Sequence, residues 1–305
     1  MLLFPLLAAL LAPPAQAVAP DSVARQVAVA PAELLQVTIV GPASGPPVII
    51  IPGLISPAYA FRHVLPPLAE QGVRAIVIEP LGVGGSSHPG GKADYSHTAQ
   101  AARIAAVMDS LHVTNAVVMG HAVGTAIALR LATTRHDLVG RLLLVEGGAL
   151  ESAAVPGVRS ALKFAFLIRL FGGRGRVRKE VRKGLIASSY DSTWVSDSLI
   201  EHYTTGTGGD MGAVLRALRG MENSVEPDSL LPKLTTLDVP VRLLMGAGPR
   251  LDGGRGLSRG RVLSLRRRLP HFTIDSVAGA GLHVHEERPD VIVHELLTLV
   301  RELHP

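Results

Sequence analysis

No cysteine occurs in the 305 residues, which excludes disulfides, a thiolate nucleophile and any cysteine-ligated zinc or iron–sulfur site. Aromatic residues make up only 4%, too few for a surface that stacks bases or sugars. The most apolar N-terminal run, Leu2–Ala12, is broken by Pro5 and is too short to span a bilayer as a helix. What is present is ordinary for a folded chain: 47% hydrophobic and 18% charged residues. The length suits one large α/β domain or two smaller ones.

The net charge of +5 is unevenly distributed. Two windows, Arg159–Lys183 and Arg250–Arg268, hold sixteen basic residues against two acidic ones, Glu180 and Asp252. They carry +14, and the remaining 14 basic and 23 acidic residues leave the rest of the chain at −9. The sequence describes a mildly acidic body with two basic insertions. Such patches fit nucleic acid or a solvated surface, and the scarcity of aromatics does not favour nucleic acid.

Behind the apolar N-terminal run, Ala15-Gln16-Ala17 has the small-x-small form of a signal-peptide cleavage site. Residues 1–17 are therefore expected to be a signal peptide, with a secreted or periplasmic mature chain starting near Val18.

Strands are expected over Leu34–Val40, Val48–Ile51, Arg74–Ile78, Ala116–Met119, Arg141–Val145, Val241–Met245 and His271–Val277. Helices are expected over Ala58–Gln71, Ser96–Leu111 with Ser96 as N-cap, Gly124–Ala132 and Asp290–Leu303. Alternation of the two implies a mostly parallel sheet with helices on both faces. No strand signal occurs between about Leu150 and Leu231. The organisation expected is an α/β core, 18–149 and 232–305, interrupted by a helical cap, 150–231. Within the cap, Val158–Phe171 is apolar and flanked by Arg159, Lys163 and Arg169. The stretch 158–183 fits an anionic membrane surface, and equally a cap helix over a pocket mouth.

The segment Val117-Val118-Met119-Gly120-His121-Ala122-Val123-Gly124-Thr125 resembles the nucleophile elbow, G-x-S-x-G, of the α/β-hydrolase superfamily. Ile51-Pro52-Gly53 lies where that family has His-Gly after its third strand, and Glu79–Ser86 resembles its D-x-x-G-x-G-x-S turn. Tyr95-Ser96 opens the helix before the elbow, and Gly281–Pro289 resembles the family's histidine loop. The resemblance covers roughly residues 34–150 and 232–303, and implies an α/β-hydrolase fold with a cap.

It also implies a site whose three side chains have changed. The nucleophile position holds Ala122, and a methyl group cannot attack a carbonyl. The acid expected after Val241–Met245 falls on Pro249, leaving Asp252 in a Gly/Arg-rich loop or Glu146 at the end of the preceding strand. Alignment on His285-Glu286-Glu287 puts Leu282 at the histidine position, with His283 one residue late. The backbone oxyanion hole would be formed by the amides of Leu54 and Val123. Standard Ser-His-Asp esterase chemistry is not expected. Two readings follow: a ligand-binding relative with an apolar pocket for a small hydrophobic or ester-like molecule, or a hydrolase or lyase with His283 as general base and no covalent intermediate.

No cofactor or metal is expected: Gly82-Val83-Gly84-Gly85 lacks the Lys-Ser/Thr of a phosphate loop. His283 and His285 should point to opposite sides of an extended segment, without a third ligand at useful spacing. His121 is expected to pack beneath the elbow, and His63, His88 and His97 to lie at the surface. Ser86 and Ser87 are expected to bond backbone.

Overall fold

The computed structural model describes residues 21–54, 56–89, 93–148, 174–205, 211–249 and 259–305. The expected signal peptide, Asp252 and the apolar cap stretch Val158–Phe171 lie outside these residues. One sheet contains eight strands: β1 Val23–Ala30, β2 Glu33–Val40, β3 Pro47–Ile51, β4 Arg74–Ile78, β5 Ala116–His121, β6 Val139–Val145, β7 Val241–Gly246 and β8 Phe272–Val277. Their order across the sheet is β1-β2-β4-β3-β5-β6-β7-β8. The β1–β2 and β2–β4 pairs are antiparallel, and every later pair is parallel.

The unbroken apolar runs of the central strands have a direct cause, because each strand serves two cores. Ile49, Ile51, Ile76, Ile78 and Val118 face a cluster that includes Ile104 and Met108 of α2 (His97–Ser110) and Ile127 and Leu131 of α3 (Gly124–Thr134). Val48, Ile50, Ala75, Val77, Val117 and Met119 face the opposite cluster. There Leu65 and Leu68 of α1 (Leu65–Glu70) meet Ile292, Leu296 and Leu299 of the C-terminal helix Pro289–Leu303. Alternate residues point to opposite faces of a strand, so covering both faces demands an apolar residue at each position.

Two departures from the expected elements have local reasons. The helix expected over Ala58–Gln71 is split into a short 3-10 turn, Ala58–Phe61, and α1. Pro66 and Pro67 have no N–H to donate and would collide with the preceding carbonyls, so a continuous helix cannot pass through them. β1 escaped the sequence reading because it is an edge strand whose pattern mixes polar and apolar residues, with Val27 and Val29 only partly buried.

Between β6 and β7 the described residues form three α-helices, a 3-10 turn (Lys233–Thr236) and no strand: the α-helices are α4 Arg174–Ser188, α5 Asp197–Thr205 and α6 Met211–Asn223. After β7 come α7 (Arg259–Arg268), in the second basic window, then the short α8 (Val284–Glu287) and α9 (Pro289–Leu303). No described helix is long and apolar enough to cross a membrane.

Candidate active site

The centre of the site is the turn between β5 and α3. Ala122 sits there with φ +50°, in the left-handed region that a residue with a Cβ rarely adopts. The turn is fixed from both sides: the Ala122 N–H donates to the Val145 carbonyl at 2.9 Å, and the Thr125 hydroxyl donates to the Ala122 carbonyl at 2.6 Å. Its flanking glycines are steric necessities. A Cβ at Gly120 would lie 2.5 Å from the Gly124 oxygen, and one at Gly124 would lie 2.2 Å from the Ile51 oxygen. The backbone thus keeps a strained, nucleophile-presenting geometry and presents a methyl group.

Beside the turn, Leu54 and Val123 line a partly open cleft whose enclosed part is about 20 Å³, room for roughly one water. Among the described residues, neither of these two amides donates to a protein acceptor. That is the condition an oxyanion-binding pair must meet, because such donors have to remain available to a ligand.

Glu146 also adopts a left-handed conformation, φ +52°, directly after β6. Its carboxylate accepts from the Gly246 N–H at the end of β7, so it bridges the two strand ends.

The histidine loop is held in strict register. The Leu282 N–H donates to the Ser188 carbonyl at 3.0 Å, and the Leu282 carbonyl accepts from His121 Nε2 at 3.1 Å. Leu282 is half-buried, whereas His283 is 1% exposed. His283 Nε2 lies 2.9 Å from Ser188 Oγ, whose own hydroxyl hydrogen is directed to the Gly184 carbonyl, so His283 Nε2 is the donor. Its ring packs near Trp194, His121 and His285.

The expectation that His283 and His285 diverge is corrected here. The chain starts the α8 turn at Val284, so the two residues fall on one side. With His121 they form a buried group whose ligand-capable nitrogens lie within 4.8 Å of one another, and His121 is the third member that sequence spacing did not reveal. Nitrogens sharing a zinc ion would need to approach to about 3.3 Å, given Zn–N bonds of about 2.0–2.1 Å. The rings meet as packed aromatics: His121 and His285 are edge to face at 4.4 Å, and His285 stacks on Phe61 at 4.8 Å. Burial pushes His121 down to about 4, against the opposing pull of its bond to Leu282. Burial, then the neighbouring His121, His283 and Arg62, holds His285 well below the usual imidazole range.

Glu286 and Glu287 anchor this loop. Glu286 accepts from Arg62 at 2.8 Å and from the Tyr203 hydroxyl at 2.7 Å. Glu287 accepts from the backbone N–H groups of Tyr190, Asp191 and Gly281.

A model of the alpha/beta hydrolase fold family matches residues 46–182. Over 256 residues the chain is 23% identical to an uncharacterized hydrolase, YugF, of Bacillus subtilis, covering 83% of this chain and 89% of that protein. Over 107 residues it is 31% identical to a haloalkane dehalogenase of Mycobacterium marinum, covering 35% of this chain and 36% of that protein. Among solved structures, epoxide hydrolase CorEH superimposes with TM-score 0.74 at 21% identity, covering 93% of this chain and all of the other. A thermophilic esterase from Thermogutta terrifontis superimposes with TM-score 0.70 at 19% identity, over 92% of this chain and 99% of that one. The chain has the α/β-hydrolase fold.

Within this fold, the turn that resembles D-x-x-G-x-G-x-S is a backbone clasp. The buried Glu79 accepts from the N–H groups of Ala58 at 2.7 Å and Gly85 at 2.6 Å. Ser86 and Ser87 accept from Gln36 and Leu34 of β2. One polar residue of the cavity was missed. His97, expected at the surface, is 2% exposed and lines the cavity together with Leu54 and Val123. The adjacent N-cap, Ser96, accepts from Ala99 N–H at 3.1 Å and marks where α2 begins. A histidine in that first turn was the one available signal. His63 is exposed, as expected.

Proposed function

We propose that this chain is a hydrolase-fold protein without acyl-enzyme chemistry, whose remaining site takes a small hydrophobic, ester-like molecule beside the elbow. The observation that carries this reading is the methyl group of Ala122 at the left-handed apex where an acyl-transfer nucleophile would stand. Two further observations support it. Leu282 is pinned at the histidine position by hydrogen bonds on both sides of its backbone, and the Leu54 and Val123 amides lack protein acceptors. The names of the relatives, haloalkane dehalogenase, epoxide hydrolase and esterase, suggest a small organic molecule as ligand. His283 as general base is the weaker reading, because its Nε2 is occupied as a donor to Ser188.

A fluorophosphonate probe is expected to leave the wild-type protein unlabelled, and p-nitrophenyl butyrate to give no burst. Ala122→Ser is expected to gain less than about tenfold in ester turnover, because Leu282 stands at the histidine position that would activate the hydroxyl. Methyl butyrate should bind with saturable, one-to-one heat. Covalent labelling of the wild type, or a burst, would overturn the reading.

Export belongs to the same proposal, as does contact of the basic stretch 158–183 with an anionic membrane surface. N-terminal sequencing of the chain recovered from the expressing bacterium should begin near Val18. A mature chain still starting at Met1 would refute export.

A further inference from the structure

Among the described residues lining the cavity with Leu54 and Val123, the polar side chains are those of Tyr95, Gln100 and His97. Tyr95 donates its hydroxyl to the Pro89 carbonyl at 2.6 Å. Gln100 is used at both ends, accepting from the Leu81 N–H at 3.0 Å and donating to the Leu81 carbonyl at 2.9 Å. Neither ring nitrogen of His97 makes a hydrogen bond, although both are buried; Nδ1 faces a carboxylate and Nε2 has no partner of any kind among the described residues. A buried polar atom without a partner costs free energy, and one bordering a cavity has a ready explanation in a water or ligand.

The other side of the ring is organised. His97 Nδ1 lies 3.2 Å from Glu226 Oε1. Glu226 is itself held by the backbone N–H of His97 at 2.7 Å, the Thr98 hydroxyl at 2.8 Å and Arg130 Nε at 3.2 Å. Burial alone would raise the Glu226 carboxyl, but the His97 side chain, the His97 backbone N–H and the Thr98 hydroxyl outweigh it and bring it to about 2. A carboxylate 3.2 Å from Nδ1 favours the proton on that nitrogen and leaves the lone pair on Nε2. Capping the start of α2 explains why Glu226 binds the His97 and Thr98 backbone. It does not explain a buried imidazole with neither ring nitrogen in a hydrogen bond, set in the wall of the cavity.

We propose that His97, oriented by Glu226, is the general base of this site and activates water for direct hydrolysis of a small ester. This rests on the reading that the cavity beside Leu54 and Val123 is the ligand site. A water O–H bond breaks, its proton passes to His97 Nε2, and the oxygen forms a bond to the ester carbonyl carbon. The negative charge moves to the carbonyl oxygen, for which the Leu54 and Val123 amides are the available donors. On collapse the C–O bond to the leaving group breaks, the proton returns from His97 to the departing oxygen, and acid and alcohol result. No covalent intermediate forms, so Ala122 is no obstacle. His97 would be a catalytic residue and Glu226 a positioning residue.

The test uses the full-length protein with p-nitrophenyl butyrate and three variants. His97→Gln is expected to lower kcat about 100-fold with KM changed less than about threefold, the size of a lost general base. Glu226→Gln, which preserves shape, should lower kcat about tenfold at unchanged KM. His97→Ala should recover part of its rate with added imidazole, which a purely structural role would not produce. Variants turning over at the wild-type rate, or a loss that appears in KM and is not recovered by imidazole, would overturn the role of His97. If methyl butyrate binding survives in that case, the site reading stands and only the base assignment fails. If the wild type binds no methyl butyrate, the site reading fails and the base assignment with it.

Discussion

Replacement of Arg130 by alanine is expected to destabilise the fold by about 3–5 kcal/mol, the usual consequence of removing one partner from a buried charge cluster. Arg130 lies on α3, directly behind the elbow, and is only 2% exposed. Its guanidinium reaches Glu226 at 3.2 Å, the Thr98 hydroxyl at 2.8 Å, and the side chain and carbonyl of Asp228, each at 3.0 Å. It therefore ties α3, the start of α2 and the segment before β7 into one unit. Asp228 is half-exposed and can return to water, but the Glu226 side chain is only 4% exposed and cannot. In Arg130→Ala the Glu226 carboxylate would stay buried without its main cation, and the volume of the largest fully buried side chain would be empty. Urea denaturation measures the loss. Adding Glu226→Gln should recover part of it, since the uncompensated charge then disappears. A loss below about 1 kcal/mol in Arg130→Ala would show that the cluster is not a structural tie.

The contrast between what the sequence revealed and what it hid follows from distance along the chain. The path from β5 through Ala122 into α3 is specified within ten residues, by an apolar run, two close-packed glycines and a helix-forming segment. It was legible at once. So were Ser96 as N-cap and the two-faced burial of the central strands, because each depends on neighbours in sequence. The His97–Glu226 contact spans 129 residues and was invisible, as was the dependence of Glu226 on Arg130. The histidine loop lay between these cases. Its register could be aligned, but whether a shift would turn His283 toward Ala122 depended on Ser188, Ser188 being supplied by a helix far away in sequence. The same loop shows why alternation failed for His283 and His285: an extended reading presumes that no turn begins between them, and α8 begins there.

Acidification is expected to reveal two opposed buried groups. His121 is held down to about 4 by burial, against an ordinary value of 6.5. Between pH 6.5 and 4 the unfolded chain takes up this proton and the folded chain does not, so stability falls as pH falls through that window. A shift of this size corresponds to about 3 kcal/mol. His285 acts in the same direction. Glu79 acts in the other. Burial raises it to about 7 from 4.5, despite the two backbone N–H groups that favour its charge. Between pH 7 and 4.5 the folded state holds a proton that the unfolded state has released, so acidification stabilises by a further amount of about 3 kcal/mol. In the wild type these two contributions largely cancel from pH 7 to 4.5. Glu79→Gln removes the compensating group. Its unfolding free energy, measured by urea denaturation at intervals from pH 7.5 to 4, should then fall more steeply than that of the wild type, by about 3 kcal/mol over the range. His121→Asn should flatten the profile and tilt it toward greater stability in acid. Parallel profiles for all three proteins would mean that these side chains titrate as they do in the unfolded chain and are not buried as the structure places them.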